Sequence, residues 1–189
     1  MEQQTSASLT LDYRDGQGRP VRAESSVATN GDCVGTLTAG GGRAQVIHIG
    51  PAHYLKGDPA FWTWATRRPD APTVPRLWVG RWVQGWLAQL EAYGADTMCS
   101  LTDAVADLTA DFGGKKRETG PRNHLGHPTV SVTQSNQTGS ITLDITTTGP
   151  AVVLRGVQKS AGSTTVTTTF THLNVPVHAK APAGAVDSV

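Results

Sequence analysis

The residues of this chain best suited to chemistry are six histidines and two cysteines, and their spacing does not assemble a catalytic group. His124 and His127 form His-Leu-Gly-His, a spacing that can hold a metal ion when it lies on a helix. Gly126 and Pro128 oppose a helix there, and a zinc site needs three or four converging ligands. Surface-loop histidines are the expectation. His48 and His53 flank Gly50-Pro51 and should face each other across a hairpin as a structural pair. A nucleophile built on Cys33 or Cys99 has no motif around it, and both cysteines sit where burial is expected. Asp103, Asp107 and Asp111 recur every fourth residue, but one row of carboxylates on one helix gives poor multidentate geometry, so a solvated face is expected. Gly113-Gly114-Lys115-Lys116 resembles a phosphate loop only in part. It lacks the upstream glycine and the Ser/Thr after lysine, and it follows a helix instead of opening one. Nor does the chain hold a Gly-x-Ser-x-Gly elbow or a His-Glu-x-x-His pair. The expectation is a protein that is not an enzyme, with no metal and no cofactor.

Composition narrows the class further. The 189 residues suit one domain over 1–189, with 1–7 and 181–189 frayed. Hydrophobic residues make up 38% and charged residues 16%, and Thr, Ser, Gly and Pro fill the difference. That mix favours strands with one wet face and many turns, because β-branched Thr tolerates a half-exposed pleat. A net charge of +1 and scattered basic residues argue against a nucleic-acid partner. Lys115-Lys116-Arg117 directly follows a predicted helix, where cations complement its dipole. No apolar run reaches the roughly 20 residues that cross a bilayer. Met1 is followed by the polar Glu2-Gln3-Gln4-Thr5-Ser6, so the chain is expected to start in a mature region and not in a signal peptide. By count alone, Cys33 and Cys99 fit either one disulfide or two buried thiols.

The elements that must position these residues fall in three parts. The first is a meander of short strands: Ser8 to Tyr13, Val21 to Ala28, Cys33 to Thr38, Ala44 to Ile49 and His53 to Lys56. Turn residues such as Asn30-Gly31, Gly40-Gly41-Gly42 and Gly50-Pro51 separate them. The middle is helical and holds all five tryptophans. Asp58-Pro59 reads as an N-cap followed by proline at the first helical position, opening a short helix through Trp64. Arg76 to Trp82 is ambiguous between strand and helix. Trp86, Leu87, Leu90 and Tyr93 lie at helical spacing. The clearest helix is predicted from about Thr97 to Phe112, capped by Asp96, with Met98, Leu101, Val105, Leu108 and Phe112 on one stripe. The third part is strand again, with Val130/Val132, Ile141/Leu143/Ile145, Val152/Leu154 and Val166/Phe170 alternating against Thr, Ser and Asp. Each of these strands has one apolar face, and the helices are its expected cover.

Phe61, Trp62, Trp64, Trp78, Trp82 and Trp86 carry much apolar area on short segments. Residue by residue they suit the helix–sheet core. A loose aromatic layer between a curved sheet and its helices can also leave a cavity.

Several stretches resemble the LppX/LprG lipoproteins of actinobacteria, which share the LolA/LolB-type fold. They are Gly31-Asp32-Cys33-Val34-Gly35-Thr36-Leu37, Tyr54-Leu55-Lys56-Gly57-Asp58-Pro59-Ala60-Phe61-Trp62, Arg81-Trp82-Val83, Met98-Cys99-Ser100-Leu101, and Val175-Pro176-Val177-His178-Ala179 with Ala181-Pro182 and Val186-Asp187. The resemblance implies an α+β protein: a curved antiparallel sheet, open or half-closed as a half-barrel, with amphipathic helices on its concave face. In that family the concave space holds lipid acyl chains, and the precursor ends its signal peptide at a lipidated cysteine. It further implies a Cys33–Cys99 disulfide, since both cysteines lie inside the matching stretches and an exported compartment permits oxidation.

The function expected from this reading is non-enzymatic binding or carriage of a lipid or other apolar ligand in the cell envelope, peripheral to the membrane if the precursor is lipidated. Lining residues are expected at Trp62, Trp78, Trp86, Leu101, Val105, Leu108, Ile141 and Leu143, which should face the sheet–helix interior. The alternative is an interaction module with a filled core that binds another envelope protein.

Overall fold

The computed structural model describes residues 4–66, 76–85, 97–110, 113–161 and 165–188. Period-2 alternation and glycine-rich turns produce one sheet of twelve strands, in the order β12-β6-β5-β4-β3-β2-β1-β11-β10-β9-β8-β7. The strands are β1 (Ser6–Arg14), β2 (Pro20–Ala28), β3 (Cys33–Ala39), β4 (Gly42–Ile49), β5 (Ala52–Gly57), β6 (Val83–Gln84), β7 (Lys115–His124), β8 (His127–Asn136), β9 (Gly139–Thr146), β10 (Val153–Ser160), β11 (Thr165–Thr171) and β12 (Val186–Asp187). All pairings are antiparallel except β12 with β6. β12 and β7 stand at opposite edges, so the sheet is unclosed, as the family resemblance implies.

Turn chemistry sets the registers. Gly40 and Gly41 both have positive φ (60° and 82°) between the paired Ala39 and Gly42. That is the type I′ geometry whose twist matches its flanking strands. Leu125 (52°) and Gly126 (84°) do the same between β7 and β8, which sets His124 directly opposite His127. His48 pairs with His53 across β4 and β5, and their rings stack with centroids 4.2 Å apart.

One face of the N-terminal strands is apolar and buried: Leu9, Leu11, Val21, Ala23, Val27, Leu37, Ala44, Val46 and Leu55. Helix α1 (Pro59–Ala65) covers part of it. Asp58 caps this helix, its Oδ1 accepting from the Phe61 amide at 2.7 Å and its Oδ2 from the Arg43 amide at 2.9 Å. The helix comes down on residues without side chains. A β-carbon on Gly42 would lie 1.9 Å from the Phe61 nitrogen, and one on Gly57 would lie 2.6 Å from the Phe61 ring. This close approach puts Phe61, Trp62 and Trp64 into the core. The Trp64 indole donates to Asp15 Oδ2 at 3.1 Å, beneath the β1–β2 turn.

The second helix is shorter than its apolar stripe predicts. Thr97–Cys99 forms a 3₁₀ turn, and helix α2 runs over Leu101–Thr109. Ser100 opens it, its Oγ accepting from the Asp103 amide at 3.1 Å. The break has a covalent cause. Cys99 is bonded to Cys33 of β3 (S–S 2.09 Å, Cα–Cα 5.3 Å), and Ser25 of β2 donates to the Met98 carbonyl, so this segment is tied to the sheet before α2 begins. Asp96, Asp111 and Phe112, which the sequence reading placed at the ends of this helix, lie outside the described residues.

One further expectation needs correcting, and one ambiguous segment is resolved. Lys115-Lys116-Arg117 does not follow a helix as its C-terminal cations; it opens β7, an edge strand whose residues are nearly all exposed. An edge strand pairs on one side only, and charge on it discourages a further strand from adding. The ambiguous Arg76 to Trp82 segment resolves into a 3₁₀ turn at Arg76–Trp78, followed by β6. Residues close to both ends bond to neighbouring segments of the chain. Ser6 and Ala7 are buried in β1, and the Thr5 amide donates to Asn174 Oδ1 at 2.9 Å. Near the other end, the Val186 amide donates to the Trp82 carbonyl and the Ser188 amide to the Gln84 carbonyl, each at 2.9 Å. No helix among the described residues is long and apolar enough to cross a membrane.

Candidate ligand-binding cleft

Helix α2 presents two stripes. Leu101, Ala104 and Leu108, spaced by three and four, are buried toward the sheet. Leu101, Thr102, Val105, Ala106 and Thr109 form a neighbouring stripe along the helix axis, and this one borders open space. The opposite wall is Pro150-Ala151-Val152-Val153, where the chain leaves the β9–β10 turn and enters β10. Gln4 and Thr29 close one end. The cleft between these walls has a volume of about 730 Å³.

Local structure accounts for each wall. A register irregularity between Val153 and Arg155 interrupts the alternation of β10, so Val152, Val153 and Leu154 are buried in succession. The Thr146 side chain holds this turn, donating to the Pro150 carbonyl and accepting from the Val152 amide, both at 2.9 Å. Gln4 Oε1 accepts from the Asn174 side chain at 2.7 Å, and Thr29 Oγ1 donates to the Thr5 carbonyl at 3.3 Å. The polar end is therefore fixed by the chain itself. No Asp, Glu, Lys, Arg or His is among the described lining residues. Leu101, Val152 and Val153 are buried, whereas Ala106, Thr109 and Ala151 are exposed, so the cleft has an apolar floor and a wet mouth.

The inner face beyond the cleft is incompletely covered. Leu143 and Ile145 of β9 pack at the margin of the core and stay partly exposed, as do their cross-strand partners Val132 and Val130. On the other face of the same strands, the polar Thr129, Ser131 and Asp144 are the more buried set. A packed sheet face normally shows the reverse order.

Of the lining residues expected from sequence, Leu101 and Val105 border the cleft. Leu108 points at the sheet beside them, over Gly156 of β10. Ile141 is buried and Leu143 partly so, both on the inner face. Trp62 and Trp78 lie elsewhere, with ring centroids 6.1 Å apart against the β5 side of the core. Trp86 is outside the described residues. Sequence reasoning missed Pro150 to Val153 as a wall, placing Val152 only in an alternating strand with Leu154. The signal was the apolar Ala151-Val152-Val153-Leu154, a run too continuous for a strand with one wet face.

No group of three or more His, Cys, Asp or Glu able to hold a metal ion occurs among the described residues. One carboxylate is strongly perturbed. Burial would raise the pKa of Asp15, but hydrogen bonds from the Arg19 side chain, the Trp64 indole and the Arg19 and Gln17 amides outweigh it. They hold the group well below the usual carboxylate range. This cluster stabilises the β1–β2 turn and lies away from the cleft.

No protein-family model matches the chain, and no curated protein sequence does. Among solved structures it is similar to the lipoprotein LppX of Mycobacterium tuberculosis, with 13% identity and a TM-score of 0.58 over 95% of this chain and 91% of that one. It is similar also to LprF from Mycobacterium bovis, with 16% identity and a TM-score of 0.58 over 97% of this chain and 91% of that one. At such low identity the likeness speaks for the fold, which is of the LppX type.

Proposed function

We propose that this protein binds a lipid or similarly amphiphilic molecule without chemically altering it, with the apolar part of the ligand seated between α2 and residues 150–153. The observation that carries the reading is the cleft itself: about 730 Å³, with an apolar floor and no charged residue among the described lining positions. Its size falls within the roughly 300–1,000 Å³ typical of small-molecule sites. Burying each methylene is worth about 0.8 kcal/mol, so an alkyl segment a few carbons long gains useful affinity with no polar contact at all. Gln4, Thr29, Thr102 and Thr109 offer neutral hydrogen-bonding groups to the polar end of such a molecule.

The LppX-type fold supports placing this activity in the cell envelope, because LppX is itself a lipoprotein. The buried Cys33–Cys99 bond points the same way, since disulfides persist in oxidising compartments. An interaction module with a filled interior fits less well, because α2 and β10 leave space between them.

The test is native mass spectrometry of the chain after incubation with mixed phospholipid vesicles, followed by extraction and identification of any bound lipid. A one-to-one lipid adduct that disappears in Val105→Trp supports the proposal. Absence of any adduct, or an adduct of equal abundance in both proteins, contradicts it.

A further inference from the structure

We propose that the outer face of β7–β10 carries a second binding site, which takes an oxyanion group of the phosphate type. It lies on the opposite side of the sheet from Leu143 and Ile145 and is independent of the apolar cleft. A polar hollow of about 280 Å³ is formed where β7 kinks against β8, with Arg122, His124, Thr129, Ser131, Asp144 and Arg155 on its walls.

Two buried polar atoms in this hollow have no hydrogen-bond partner, Thr129 Oγ1 and His124 Nε2. Thr129 is fully buried, at 0% exposure. A buried hydroxyl left unpaired is costly, and such groups are rare unless something else satisfies them. The arginines are under-used as well. Arg122 makes no hydrogen bond or ion pair among the described residues. Arg155 forms an ion pair with Asp144 Oδ2 at 3.6 Å, too long for a hydrogen bond, so its N–H donors are not used up by it.

The balance of charge selects the ligand. Two guanidiniums face one carboxylate, and that carboxylate is already engaged, since Asp144 Oδ1 accepts from Ser131 Oγ at 2.5 Å. What remains unmatched is the Arg122 guanidinium fork, the Thr129 hydroxyl and an imidazole nitrogen, with Arg155 held only by a long ion pair to Asp144. Guanidinium forks match the oxygens of phosphate, and hydrogen bonds between ionised partners are roughly twice as strong as neutral ones. A metal cation would meet net positive charge here and is disfavoured.

The test is a titration of the full chain with inorganic phosphate at constant ionic strength, followed by proton–nitrogen correlation NMR. We expect saturable shifts centred on residues 122–124, 129 and 131. Arg122→Gln and Arg155→Gln should each weaken binding about tenfold or more, as expected for loss of a charge-assisted hydrogen bond. Arg122 is exposed and unpaired, so its variant keeps the fold. Thr129→Val should weaken phosphate binding yet raise the melting temperature in phosphate-free buffer, because it removes an unpaired hydroxyl. A parallel titration with short-chain phosphatidic acid separates the sources. Tighter binding at the same residues, competed by phosphate, assigns a lipid headgroup, and affinity equal to that of phosphate assigns the free anion. No saturable shift, or shifts unchanged in both arginine variants, overturns the proposal.

Discussion

Leu108 of α2 sits directly over Gly156 of β10, where a β-carbon would come within 2.3 Å of the leucine Cδ2 and 3.0 Å of its Cγ. This contact holds the helix that forms one wall of the cleft against the strand that leads into the other. Gly156→Ala should therefore cost about 1–3 kcal/mol by overpacking. Leu108→Ala should cost about 2–5 kcal/mol by opening a cavity. Because the two changes act on the same space, the double variant should lose less than the sum. Urea denaturation of the four proteins measures that coupling.

A harsher penalty is expected at the seat of α1. A methyl group on Gly42 meets the backbone nitrogen of Phe61, which cannot rotate away. Gly42→Ala should cost at least about 3 kcal/mol, at the upper end of overpacking effects. Gly41→Ala meets nothing within 4 Å but sits at a φ of 82°. It should cost only about 1–2 kcal/mol, the penalty of a left-handed conformation. Thermal melts of the two variants separate steric clash from backbone strain.

Reduction of Cys33–Cys99 releases a loop spanning 66 residues. In the chain-entropy account such a crosslink contributes roughly 4 kcal/mol, so the Cys33→Ala/Cys99→Ala variant should unfold at markedly lower denaturant. Intact mass without reductant offers a direct check on the bond, since two free thiols in the folded protein would contradict it.

Asp15 gives a pH signature. Its pKa is lower in the folded state than in the unfolded chain, where a carboxylate titrates near about 3.9. The unfolded state thus binds the proton first. The stabilisation is complete above that value and is lost as the pH falls below it toward the depressed folded value. Asp15→Asn should remove this component of acid sensitivity and lower stability at neutral pH, because one oxygen becomes an NH2, which accepts neither from Arg19 and Trp64 in the place of Oδ2 nor from the Gln17 and Arg19 amides in the place of Oδ1. Denaturant midpoints for both proteins between neutral and strongly acidic pH would show it.

How much of this was legible in the sequence depended on whether the deciding force was local. The strands from β1 to β5 were readable because Leu9/Leu11, Val21/Ala23 and Ala44/Val46 alternate and glycines mark the turns. Asp58-Pro59 marked the start of α1 for the same reason, since a cap acts within one turn. β7 was not readable. Lys115 to His124 has no apolar alternation, as an edge strand exposed along its length needs none. The stripe of α2 was visible, but its start was set by a disulfide to a strand 66 positions away, which no local pattern announces. The tryptophans were conspicuous and mostly structural, because glycines at 40, 42 and 57 let them sink into the core. The cleft drew only Leu101 and Val105 from the expected lining. Its second wall depends on a register irregularity in β10, which shows only when strands are paired.

The most direct test of the cleft is an NMR measurement on protein with labelled valine methyl groups, bound to a lipid with protonated acyl chains. Cross-relaxation should connect the acyl methylenes to the methyls of Val105, Val152 and Val153, and leave the core methyls of Val21, Val27 and Val46 silent. Contacts confined to other valines, or none at all with lipid bound, would contradict the placement of the ligand between α2 and β10.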